Sequence, residues 1–291
     1  MPGPRAVAVN VAANTNEPGF RGPVYPDGSF AYVPIPESAA TLPRDRFPVD
    51  EPLPTYGDLD LPFAVPADLR ETAVHADPEF PGVHGRECAT YGDPHGVKAA
   101  RIADLGPGDW LLFYATLTLR PHGWAGPGGG QVGDAAERTG GGSAGDAGAD
   151  ERDGAWLRQR GVAVDDDLAP DWGAYLFAGM RVERVLSAAD GDGDGGAVDR
   201  AAAAAAAAAA APTNAHLKRD PFDARVVAVG DPDASGLFDR VAPLSAPDAG
   251  SEANPIVTDL SSDSGKGPWW RRPMAFDAAA TSRLLARIDG I

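Results

Sequence analysis

Valines at 7, 9 and 11 alternate with small residues from Ala6 to Ala12, the period of two that a strand with one buried face requires. Further on, Val24-Tyr25 and Phe30 to Ile35 flank Pro26-Asp27-Gly28, which is turn chemistry and predicts a hairpin. The longest apolar run of β-formers, Trp110 to Leu119, is entered through Gly106-Pro107-Gly108-Asp109. Its near-continuity predicts a strand buried in the sheet. A partner strand is expected at Ala174 to Val185, with Gly179 marking a bulge or bend, and another at Ala224 to Val229, with Phe222 and Phe238 buried beside it. Helical periodicity is confined to Gly96–Leu105 and to a closing segment, Asp277–Ile288, where Leu284, Leu285 and Ile288 share one face. Residues 36–68 carry many prolines and are expected to wrap the domain as irregular chain, and residues 245–268 read as loop. The elements together predict one α+β domain over residues 1–291: a mixed, mainly antiparallel sheet, partly closed as a β-barrel, with peripheral helices and long loops.

Two stretches break this pattern. Residues 123–155 are dominated by Gly, Ala and Asp and lack the apolar content to build a core, so they read as a disordered insert. The second insert, residues 187–213, runs from an Asp/Gly repeat into eleven alanines at 201–211 and ends at Pro212. Alanine is the best helix former, but a short helix without partners is marginal in water, so this tract reads as a spacer. Motif matches inside the inserts carry no chemistry. Gly128-x-Gly130-x-x-Gly133 has no strand before it and no helix after it, and Gly141-x-Ser143-x-Gly145 lacks a strand-to-helix turn. Asp190, Asp192 and Asp194 begin like a calcium loop but meet Ala201 where a bidentate Glu is required.

Charge narrows the classes of partner. Asp and Glu number 42 against 25 Lys and Arg, a net charge of -17, and only Lys98, Lys218 and Lys266 are lysines. This composition resembles that of proteins from extreme halophiles. At molar salt the Debye length is about 3 Å, so the acidity reads as adaptation to solvent. Nucleic acid contact would then have to rest on stacking and hydrogen bonding, not on a broad basic field. Cys88 is the only cysteine, which excludes an intrachain disulfide and a four-cysteine zinc site and fits a reducing cytoplasm. The first twenty residues are too polar for a signal peptide, and no apolar run outside the alanine tract predicts a membrane span.

The residue types that move protons or ligate metals gather at His75, Asp77, His84, Cys88 and His95. Their spacing follows no ligand rule, so no metal is expected, and no cofactor is named by the sequence. His75 and Asp77 could instead form an acid/base pair in which the carboxylate orients the imidazole. Trp269-Trp270-Arg271-Arg272 joins aromatic faces to paired guanidiniums, which suits a stacked base with its flanking phosphates. The alternative is a tryptophan in the core and arginines paired with surface carboxylates.

The ordered segments GPVYPDGSFAYVPIPE, HADPEF, GDWLLFYATL, YLFAGMRVERV and NAHLKRD resemble, in order, the nucleotide modification associated domain, third type, a family linked to systems that modify nucleic-acid bases. GDWLLFYATL and YLFAGMRVERV are also similar to the barrel core of the PUA-like superfamily, whose members bind RNA or modified bases. The resemblance implies a nucleic-acid base-modification or modified-nucleotide recognition protein, in which Asp27, His75, Asp77 and His216 line a polar pocket that reads or protonates an extruded base. Trp269, Arg271 and Arg272 would hold the flanking backbone. The first loop departs from the expected charged pattern with Asn14-Thr15-Asn16-Glu17. Two other classes stay open: a small-molecule enzyme using His75 and Asp77, and an interaction scaffold whose polar residues are structural.

Overall fold

The computed structural model describes residues 3–94, 96–127, 154–187 and 195–288. Among them run the strands β1 (Ala6–Asn10), β2 (Pro23–Val24), β3 (Thr90–Asp93), β4 (Trp110–Leu119), β5 (Trp172–Ser187), β6 (Val226–Pro243), β7 (Ser245–Ala246), β8 (Ala249–Ala253) and β9 (Met274–Phe276). The helices are α1 (Gly96–Ala103), α2 (Gly154–Gln159), α3 (Gly195–Ala210) and α4 (Ala278–Leu285). The main sheet has the order β3-β6-β5-β4-β1-β9, with β2 beside the end of β4. β1 and β2 run parallel to β4 and the other pairings are antiparallel. The sheet curls into a partly open barrel, so the fold is α+β.

β4 lies at the centre because it is apolar on both sides. Leu111, Phe113 and Ala115 pack with Val7, Val9 and Phe177 on one face. Leu112 and Tyr114 pack with Ala8, Trp269, Phe276 and Leu284 on the other. Two layers of core thus share one strand, which explains why its sequence does not alternate. The edge strand β9, within a stretch without a strand signal, leads into α4, whose N-cap is Asp277, accepting from Ala280 N at 2.8 Å. Residues 36–68 do wrap the domain, and Tyr56 and Phe63 close a third apolar cluster with Val33, Val74 and Trp124.

β6 is much longer than its apolar start suggests. Its register against β5 jumps between Met180 and Val182 and again between Leu176 and Ala178. Residues 231–234 and 238–241 are accommodated at these irregularities, so Asp231-Pro232-Asp233 sits on a strand that bulges outward.

The alanine tract departs from the spacer expectation. Ala207 in the last turn of α3 and Ala211 just beyond its end are buried against Leu217, Ala224 and Val227. Tertiary burial of one alanine face supplies what an isolated helix lacks. Residues 128–153 and 188–194 of the two expected inserts lie outside the described residues. Ala207→Asp, which places a charge against this apolar cluster, is expected to lower stability by about 2–4 kcal/mol in urea denaturation. Ala206 is exposed, and Ala206→Asp is expected to change stability by no more than about 0.5 kcal/mol.

Candidate functional site

Three separate stretches of chain are brought to one point. The segment carrying His75 and Asp77 bridges the end of the proline-rich entry at Pro36↔Val74, and His75 N donates to Ile35 O at 2.8 Å. Asp77 N turns back to His75 O at 2.8 Å, a three-residue turn that keeps both side chains on one side. His216 sits on the 3-10 turn Ala215–Lys218, which follows α3 and is capped by Asn214, whose Oδ1 accepts from His216 N at 3.0 Å. β3 passes between them. A Cβ on Gly92 would lie 2.4 Å from His216 Cδ2, so the imidazole packs where only glycine leaves room.

The three side chains meet at Asp77 Oδ2. His216 Nε2 is 3.5 Å from it and His75 Nε2 is 3.9 Å from it. The two rings are perpendicular, at 89°, with centroids 4.7 Å apart. Each ring is held at its other nitrogen by a carboxylate: His75 Nδ1 is hydrogen-bonded to Glu37 Oε2 at 2.8 Å, and His216 Nδ1 to Asp223 Oδ1 at 2.6 Å. Arg219 joins those two carboxylates, donating from Nη2 to Glu37 Oε1 at 2.9 Å and from Nη1 to Asp223 Oδ2 at 2.7 Å. The far oxygen of Asp77, Oδ1, accepts from Asn214 Nδ2 at 2.6 Å, and Gly92 N donates to both oxygens, at 3.0 Å to Oδ1 and 3.1 Å to Oδ2. Asn214 Nδ2 also donates to Thr90 Oγ1 at 3.0 Å, and Thr90 donates to Glu79 Oε2 at 2.5 Å. A chain of fixed dipoles therefore orients Asp77 with Oδ2 toward the imidazoles.

Burial alone would push the His216 imidazole down, but its hydrogen bonds to Asp223 and Asp77 outweigh that and raise it to about 9. Burial also works against the charged forms of Glu37 and Asp223, yet the contacts with His75 and Arg219, and with His216 and Arg219, hold each at about 2. Behind the site, burial raises Glu79 to about 7 and lowers Lys218 to about 8. Lys218 Nζ lies 5.6 Å from the centre of the Phe47 ring.

His75, Asp77 and His216 open onto a cleft of about 240 Å³, also lined by Asn10, Asn14, Tyr91, Asp93, Lys98 and Arg219. Lys98 Nζ pairs with Asp93 Oδ2 at 3.0 Å, and Tyr91 OH donates to the same oxygen at 2.7 Å. Among the described residues, His75, Asp77 and His216 are the group of three able to offer one ligand atom each to a common metal, all three atoms lying within 4.8 Å of one another.

The other expected site residues lie elsewhere. Asp27 shapes its own turn, accepting from Ser29 N at 3.0 Å and Ser29 Oγ at 2.6 Å; its side chain is 60% exposed, 3.5 Å from His122 Nε2. Asp27 does not line the cleft. Trp269 is fully buried and donates from Nε1 to Ser251 O at 3.0 Å. No ring face is left for a base, because the indole fills the core beside β1 and β4. Arg272 pairs with Asp263 at 2.8 Å, and Arg271 is exposed; neither lines the cleft. His84 faces Tyr32 O, while His95 lies outside the described residues. Sequence reasoning missed Glu37, Gly92, Asp93, Lys98, Asn214, Arg219 and Asp223. Two signals were available: Asn214 and Arg219 belong to NAHLKRD, and Lys98 is one of three lysines in an acidic chain.

Fold and site define a class: an α+β protein with a partly open mixed barrel and a buried histidine–carboxylate centre at the base of a polar cleft. The chain belongs to the nucleotide modification associated domain 3 family, whose profile matches residues 5–286. That span includes every residue of the cleft, and the family's name links the chain to nucleotide modification. No curated protein and no solved structure matches the chain. Among the described residues no helix is long and apolar enough to cross a membrane.

Proposed function

We propose that the protein acts on a nucleobase, either extruded from a nucleic acid or carried by a modified nucleotide, with His75, Asp77 and His216 as the reacting centre. The observation that carries this reading is the meeting of both Nε2 atoms at Asp77 Oδ2 inside an open cleft. Three polar groups from distant segments, each oriented by further buried hydrogen bonds, exceed what a structural core requires.

The cleft suits a single base. Its volume of about 240 Å³ falls just under the ~300–1,000 Å³ typical of pockets for drug-sized ligands. Lys98, oriented by Asp93, offers a donor on one wall, so a base could be read at its hydrogen-bonding edge. The net charge of -17 argues against a broad phosphate-binding surface, and recognition through the base itself survives high salt.

Equilibrium binding in molar KCl tests the reading, with plain and base-modified single-stranded oligonucleotides and the matching mononucleotides as ligands. At least one modified ligand is expected to bind, with affinity reduced about tenfold or more in Lys98→Met, as for loss of a charged hydrogen bond. Absence of binding to every ligand would overturn the reading.

A further inference from the structure

We propose that His75 Nε2, His216 Nε2 and Asp77 Oδ2 together bind one divalent transition-metal ion, of the kind exemplified by zinc, with an open coordination position facing the cleft. Donor atoms and charge carry this inference, and it stands whatever organic ligand the cleft accepts.

Geometry is the first argument. Ligand bonds of about 2.0–2.1 Å at a tetrahedral ion put neighbouring donors about 3.4 Å apart, and at an octahedral ion about 2.9 Å apart. The observed separations from Asp77 Oδ2, 3.5 and 3.9 Å, lie nearer the tetrahedral spacing. Two imidazoles and one carboxylate are also the donor set of zinc sites that keep a position open for water or substrate, whereas magnesium prefers oxygen alone.

The surrounding shell is the second argument. Metal-binding histidines characteristically direct the other ring nitrogen to a carboxylate, which fixes the tautomer and raises the basicity of the ligating nitrogen. Both histidines here do so, through Glu37 and Asp223. Asp77 is restrained in the same way: Asn214 Nδ2 holds Oδ1, and Gly92 N is shared between Oδ1 and Oδ2, the oxygen that faces the imidazoles.

Charge is the third. When both imidazoles ligate as neutral bases, Glu37, Asp77 and Asp223 contribute three negative charges and Arg219 one positive charge, so the site presents two negative charges to an ion. The neighbouring Asp93–Lys98 pair balances internally. An ion of charge two bound by the neutral imidazoles matches this surplus.

The test uses the full chain, stripped with a chelator and held in molar KCl so that the acidic surface does not collect cations. Zinc, cobalt(II) or magnesium is supplied separately, and retained metal is measured after desalting. About one zinc or cobalt per chain is expected, with cobalt giving the intense visible bands of a tetrahedral site, and no magnesium. His75→Ala should retain less than about a tenth of the wild-type metal, and Glu37→Gln should keep the stoichiometry while binding ~10–100-fold more weakly. Folded wild-type protein that retains no zinc, or zinc affinity unchanged in Glu37→Gln, would overturn the proposal; the second variant decides if His75→Ala does not fold. No nucleotide enters these measurements, so their failure leaves the proposed base recognition standing, and a failure of oligonucleotide binding leaves the metal site standing.

Discussion

Gly92→Ala is expected to reduce the function of the cleft by about 100-fold or more while the protein stays folded. The new methyl would sit 2.4 Å from His216 Cδ2 and 3.0 Å from Cγ, whereas carbon atoms in contact settle about 3.5–4.0 Å apart. The ring would have to retreat by roughly 1 Å, and a displacement of that size suffices to disable a reacting centre. It has nowhere to go, being 2% exposed and tied through Nδ1 to Asp223 at 2.6 Å. The stability loss should be that of a modest overpacking, about 1–3 kcal/mol. Urea denaturation, zinc retention and the Cδ2–Hδ2 NMR signal of His216 together check this. Gly236 is the control: a Cβ there meets nothing within 4 Å, and Gly236→Ala should leave ligand and metal binding unchanged.

Arg219→Met carries the largest expected loss of stability, about 3–5 kcal/mol in denaturant titration, the range for removing one partner of a buried charged network. Methionine preserves most of the stem but leaves Glu37, 2% exposed at its side chain, and Asp223 without the cation between them. Arg219→Lys should recover only part of the loss. The guanidinium meets Glu37 through Nε and Nη2 and Asp223 through Nη1, and a single ammonium cannot reproduce that fork. By contrast Arg44 pairs with Asp50 in the open, at 61% and 87% exposure, and Arg44→Met should change stability by about 0.5 kcal/mol or less. An equal response of the two arginines would contradict the buried bridge.

Strands β1, β4 and β5 and helix α4 were legible because their apolar positions follow their burial, continuous along β4 and the first half of β5 and confined to one face of α4, so the apolar pattern maps directly onto the fold. The second half of β6 was not, because two bulges interrupt its alternation and place Asp, Pro and Gly on a paired strand. The site was legible only in pieces. His75 and Asp77 are close in sequence, and His216 lies in a distinctive segment, but their meeting depends on β3 carrying a glycine between them. The carboxylates behind the histidines were illegible for a related reason: Glu37 and Asp223 resemble any other acid in a chain with 42. Trp269 misled for the opposite reason, since a tryptophan beside two arginines carries the same signature whether its ring faces solvent or core. Asp27 lies outside the cleft and bonds Ser29 within its own turn, a placement the sequence does not reveal because a turn-shaping aspartate and a cleft aspartate share one sequence context.

The docking of α3 gives the alanine tract a fixed phase. Ala207 and Ala211 lie four residues apart on the face that meets Leu217 and Val227, and Asn214 N donates to Ala211 O at 3.0 Å, coupling the helix end to the cap of His216. One additional alanine inside the helix rotates everything beyond it by about 100° and advances it about 1.5 Å. A homopolymer that looks indifferent to its own length therefore behaves as a gauge block: slippage in its repeat count, carried to the downstream end, would turn the imidazole of His216 out of line with Asp77.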